Sequence, residues 1–199
     1  MEPSLARFGC RIHLEPDGLR VAYVVQNTAD VDMGTFNRLE VTSQEGIPTI
    51  QPENAYIDLE GTTLRIQKMV LLIPKDLTMT ARPVPHVTRL PPGQTFKEEF
   101  LLRHPIRVYN PLQRAQLAAA SPRATIVADD SKQANSVAFY LGVFRTIPGT
   151  KFIPVSDELP DVYRVWPPGP AVDNQVVLVE TVNLTAPITV LDYRAVPRD

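Results

Sequence analysis

Residues 88–103 read TRLPPGQTFKEEFLLR, and the fold turns on how that stretch is taken. Pro91-Pro92-Gly93 is a turn, because two prolines fix φ and the glycine can take the positive φ that a tight turn needs. A strand follows. Phe96, Glu98 and Phe100 fall on one face, and Thr95, Lys97 and Glu99 on the other. An acidic residue between two aromatics interrupts the apolar phase. That points to a bulge, or to an edge where Glu98 reaches water. A strand of this kind is not stable alone and requires partners and a second layer.

The rest of the chain supplies candidates for both. Residues 5–14 put Phe8, Cys10, Ile12 and Leu14 on one phase, Glu15-Pro16-Asp17-Gly18 turns, and 19–26 (LRVAYVVQ) is rich in β-branched and aromatic residues. Further strands are predicted over 31–42, 55–59, 62–73, 106–109, 124–128 and 136–147. The stretch 62–73 (TTLRIQKMVLLI) is one-sided in its first half and apolar on both sides in its second. A helix is predicted over 112–120, where Pro111 could occupy the first turn and Ser121-Pro122 would end it. Residues 46–54, 74–85 and 129–135 read as loops, although Leu77, Met79 and Ala81 alternate. The proline-rich segment 154–174 reads as the longest irregular loop. Residues 175–182 and 188–196 read as a closing hairpin, or two consecutive sheet strands, separated by 183–187.

Many short strands with turns between them and no βα alternation predict an all-β fold of sandwich or barrel type. The strand-Pro-Gly-strand pattern over 90–102, with LRVAYVVQNTADVDM (19–33) upstream, resembles immunoglobulin-like modules. The resemblance implies an immunoglobulin-like antiparallel β-sandwich and carries no functional residues with it. The chain reads as one domain over 1–199. A subdivision would fall near 105, since both halves carry long apolar strands, but no flexible linker marks it.

Composition narrows the function. The 199 residues include 20 prolines, which break helices and mark rigid connections. The 20 basic and 22 acidic residues give a net charge of -2, and no basic stripe is visible in the sequence, so nucleic acid is not expected as a partner. Cys10 is the only cysteine, has no intrachain partner, and reads as a small core residue. The first residues show no export signal and no apolar run is long enough to span a bilayer, so a cytoplasmic protein without a membrane partner is expected. Neither GxGxxG nor GxxxxGK[ST] is present, and no cofactor is expected.

Three histidines, His13, His86 and His104, could meet in space, and His13 and Glu15 share a strand face. No GxSxG frame holds a serine, Cys10 near His13 does not align a nucleophile with a base, and Glu98-Glu99 point to opposite faces. Asn183-Leu184-Thr185 matches a glycosylation acceptor but lacks an export signal beside it. The remaining candidate is a binding surface at Tyr163, Arg164, Trp166, Pro167 and Pro168. Tyr, Trp and Arg anchor interfaces, and prolines lower the entropy lost on docking. The competing reading folds Tyr163 and Trp166 back over the end of the core. The function expected is a non-catalytic protein-interaction or assembly domain that binds a protein partner or itself. The alternatives are a metal-assisted hydrolase or isomerase built on the histidines, and a carbohydrate-binding module.

Overall fold

The computed structural model describes residues 5–42, 46–74, 77 and 82–197. Its elements in chain order are β1 (Ala6–Glu15), β2 (Gly18–Asn27), β3 (Met33–Arg38), β4 (Glu40–Thr42), β5 (Pro48–Ile50), β6 (Tyr56–Glu60) and β7 (Thr63–Lys68). There follow β8 (His86–Leu90), β9 (Thr95–Arg103), β10 (Ile106–Arg107), α1 (Pro111–Ala120), β11 (Ala124–Arg145), β12 (Lys151–Pro154), β13 (Tyr163–Trp166), α2 (Pro168–Asp173) and β14 (Val176–Pro197). Half of the predicted loop over 74–85 lies outside the described residues.

A three-stranded antiparallel sheet is ordered β1-β2-β9. The Glu15-Pro16-Asp17-Gly18 turn sets the β1–β2 register, from Glu15 opposite Gly18 to Ala6 opposite Asn27. A nine-stranded sheet is ordered β10-β14-β11-β3-β8-β13-β12, with β7 also on β11 and β6 on β7. Its spine is the pair β11 and β14, each of 22 residues, antiparallel to one another. On its other edge β11 takes β7 in parallel along Ser136–Leu141, then β3 antiparallel at Val143–Arg145. The β4–β5 pair forms a third, small sheet.

This corrects the expectation of an immunoglobulin-like antiparallel sandwich. The main sheet is mixed, because β7–β11 and β10–β14 are parallel pairs, and it is mostly open rather than closed or curled. Three misread segments account for the difference. Residues 129–135 are not a loop but part of β11, with Asp129 and Asn135 left out of register as bulges. Residues 175–196 do not fold back as a hairpin. The ladder is interrupted between Asn183 and Ile188, yet the chain runs straight on along β11. The predicted loop over 154–174 contains β13 and α2.

The three-stranded sheet lies against the large one through a shared apolar cluster. Leu19, Val21, Tyr23, Val25, Phe100 and Leu102 face Leu64, Ile66, Val137, Phe139 and Leu141. Phe139 is central, with ring centroids 5.0 Å from Tyr23 and 6.3 Å from both Phe8 and Phe100. β9 does lie at an edge of its sheet, but no bulge interrupts its register with β2, and Glu98 faces into this contact rather than reaching water. Its side chain is 5% exposed and meets Lys68, which is fully buried, at 2.5 Å. Glu98 also accepts from Arg38 at 2.7 Å and from the Tyr23 hydroxyl at 2.8 Å. Lys68 further donates to the Pro52 carbonyl and lies 4.6 Å from the Phe100 ring centroid. The alternation of β9 is therefore unbroken, and its acidic position is satisfied by charges from β3 and β7.

A second cluster fixes the far end of the sheet. Phe36, Val70, Val87, Phe144, Val165 and Ala171 are buried together. Aromatic contacts run from Phe36 to Phe144, on to Phe152, and from there to Tyr163, at 4.9, 6.4 and 6.0 Å. Gln175, just after α2, bonds both the N–H and the carbonyl of Val70, at 2.8 and 3.1 Å. Only glycine at 142 allows this, since an added Cβ would lie 2.3 Å from the Gln175 oxygen.

Candidate functional site

The β12–β13 ribbon carries the predicted surface residues and divides them. Lys151 pairs with Trp166, Phe152 with Val165, Ile153 with Arg164 and Pro154 with Tyr163. Directly opposed residues share a face. Phe152, Val165 and Tyr163 therefore turn inward, onto the Phe36–Phe144 cluster. Lys151, Ile153, Arg164 and Trp166 turn outward.

Tyr163 thus belongs with the core, half-buried, its ring edge-on to Phe152. Trp166 does not fold back: it is 58% exposed, and Ile153 on the facing strand is 46% exposed. Pro167 is exposed and precedes α2, Pro168 occupies the first turn of that helix, and Ala171 buries the helix against the sheet. The backbone under Trp166 is therefore held on both sides, by the β12 ladder and by α2.

The surface is cationic and apolar together. Lys151 and Arg164 flank Trp166, across the ladder and along β13 respectively, and neither joins an ion pair among the described residues. The loop from β12 to β13 is closed by Val155 N–H donating to the Val162 carbonyl at 3.0 Å, and it exposes Asp157, Glu158 and Asp161. β12 pairs only with β13 and is the last strand of the sheet, so one of its edges is unpaired.

Lys151 and Ile153 were not singled out from the sequence. The signal that would find them is the pairing of 151–154 with 163–166, but the second of these stretches lies in the segment read as loop.

The other candidate chemistry does not assemble. His13 is exposed on the outer face of β1, and Glu15, on the same face, is engaged by Arg20 at 2.5 and 2.8 Å. His86 meets Glu40 at 3.4 Å on a different sheet, and His104 follows β9. Among the described residues, no three His, Cys, Asp or Glu side chains come together as a group able to hold a metal. Burial pushes the Cys10 thiol up to about 12, with nearby Glu180 adding to it, so it is protonated at neutral pH and a poor nucleophile. The Lys68–Glu98 pair is buried between the sheets, with the Lys68 side chain fully hidden from solvent and that of Glu98 5% exposed.

Among the described residues, no helix is long and apolar enough to cross a membrane. No family model, curated protein or solved structure matches this chain.

Proposed function

We propose that the protein is a non-catalytic interaction domain that docks an acidic segment of a protein partner on the outer face of the β12–β13 ribbon. The observation that carries this reading is the exposed Trp166, set on a braced backbone between two cations without carboxylate partners and beside an exposed isoleucine. A tryptophan ring and an isoleucine supply apolar area at little conformational cost, and Arg and Trp are the side chains that most often dominate interface energy. Lys151 and Arg164 select a partner bearing carboxylates and speed its encounter. The free edge of β12 offers backbone groups to an extended segment, with Pro154 limiting how far such pairing can run.

The test is variant-dependent recovery of a partner. Tagged wild-type protein, Trp166→Ala and the charge reversal Lys151→Glu/Arg164→Glu are recovered from source cells under identical conditions. The reading requires a specific protein held by the wild type, reduced at least about tenfold in both variants, and weakened by salt. A partner retained equally by all three would remove the ribbon from the interface.

A further inference from the structure

The ribbon that receives an acidic segment also carries one. The loop from β12 to β13 holds Asp157, Glu158 and Asp161, all exposed, and none of them joins an ion pair among the described residues. Lys151 and Arg164, on the outer face, are equally unpaired, so the two sets do not neutralise each other within one chain. Lys151 stands at the base of the ribbon, opposite Trp166, and the loop begins beyond Pro154 at its tip. From Lys151 to Val155 the strand spans ~13 Å at the usual rise.

The apolar surface lies between base and tip. Ile153 is 46% exposed midway along β12, and Trp166 is 58% exposed beside Lys151. Among the described residues, the outer edge of β12 has no strand on it. A ribbon with a cation at its base, carboxylates at its tip and an open edge between them is complementary to itself when turned end for end. Antiparallel pairing about a two-fold axis makes that turn. It sets the tip of each ribbon beside the base of the other and uses the same surface on both chains. A parallel pairing would bring like charges together.

Building on the ribbon as the interface, we propose that the acidic segment it docks is the 155–162 loop of a second copy of this chain, with the two β12 edges paired antiparallel near Ile153. Opposed residues of an antiparallel pair share a face, so the isoleucines of the two copies come together on the outer side and each Trp166 covers them from β13. Backbone pairing gives direction, the charges fix which ends meet, and Ile153 and Trp166 supply apolar area. Pro154 lacks the N–H that would extend the ladder. The contact is therefore short, and the dimer dissociates on dilution.

Sedimentation velocity of the purified full chain, over about a hundredfold range of concentration, tests this. The expected result is a monomer–dimer equilibrium that moves towards monomer as salt is raised. Lys151→Glu/Arg164→Glu makes the ribbon acidic at both ends, and Asp157→Lys/Glu158→Lys/Asp161→Lys makes it basic at both ends. Each variant alone should dimerise at least about tenfold more weakly than wild type. An equimolar mixture of the two should restore the dimer, because each base again faces a tip of opposite charge, and such restoration excludes misfolding as the cause of the loss. A chain that stays monomeric while a different protein is recovered from source cells through Trp166 overturns self-pairing and leaves the ribbon as an interface. A monomer that recovers no protein overturns both. A dimer untouched by the reversals, or a loss that mixing does not repair, also overturns self-pairing.

Discussion

Glu98 joins the two sheets, and its environment makes its substitution costly. Removing it leaves Lys68 buried without its counter-charge, so Glu98→Ala should lose ~3–5 kcal/mol in denaturant unfolding. The double change Lys68→Met/Glu98→Met should lose less, because the fully buried ammonium goes with its counter-charge and only Arg38, whose side chain is 15% exposed, loses its carboxylate partner. Lys68 also gives a pH signature. Burial lowers its pKa from 10.5 to about 8, against the opposing pull of Glu98. From pH 8 to 10.5 the unfolded chain binds more protons at this site than the folded one. Stability attributable to Lys68 therefore rises with pH across that window, by on the order of 1–3 kcal/mol. The difference in unfolding free energy between wild type and Lys68→Met, followed from pH 7 to 10, should move in that direction; a flat difference would contradict it. The neighbouring aromatics separate by role. Tyr163→Ala should cost ~1–3 kcal/mol by opening the cluster at Phe152, while Trp166→Ala should leave the melting temperature unchanged. The shared face of Phe96, Glu98 and Phe100 was legible in the sequence; its destination was not. Strand alternation reports which side chains travel together, and says nothing of the Lys68 and Arg38 that wait 30 and 60 residues away.

Among the elements, α1 and β11 show what local pattern conveys. Pro111 and Ser121-Pro122 bracket a helix, and Asn110 caps it by accepting from the N–H groups of Leu112 and Gln113 at 3.0 and 3.3 Å. The same side chain donates to buried Asp58 at 2.7 Å. Asn110→Ala should therefore cost more than an ordinary cap, ~2–3 kcal/mol, with the denaturant slope unchanged. Gly34→Ala should also destabilise, since a Cβ there would lie 2.2 Å from the Phe144 ring and force the aromatic chain that braces β13 to shift. Runs rich in β-branched residues marked most strands. Their partners and directions stayed hidden, because the same 2-residue period serves parallel and antiparallel pairs. Asp129 to Asn135 has the polar composition of a turn and Asn183 to Pro187 ends in a proline, yet in the fold both are irregular passages along one ladder, held by the apolar runs on either side. For the same reason the ribbon surface was half visible. Trp166 and Arg164 announced themselves by residue type, whereas Lys151 and Ile153 join them only through a pairing across a proline-rich stretch.

The whole molecule presents one charged and apolar ribbon on a mixed, mostly open β framework. One end of the large sheet offers Trp166, Ile153 and two cations on a braced backbone; the loop that closes the ribbon offers Asp157, Glu158 and Asp161. Neither coincides with the buried ionic pair, which stays within the contact between the sheets. The most direct measurement is the native mass of tagged protein recovered from source cells, read by light scattering after size exclusion, for wild type and Trp166→Ala side by side. The account predicts a wild-type complex larger than the 22.2 kDa chain and a Trp166→Ala protein of equal melting temperature that runs as the free chain. A free chain in both preparations, or a complex that survives the loss of Trp166, would contradict it.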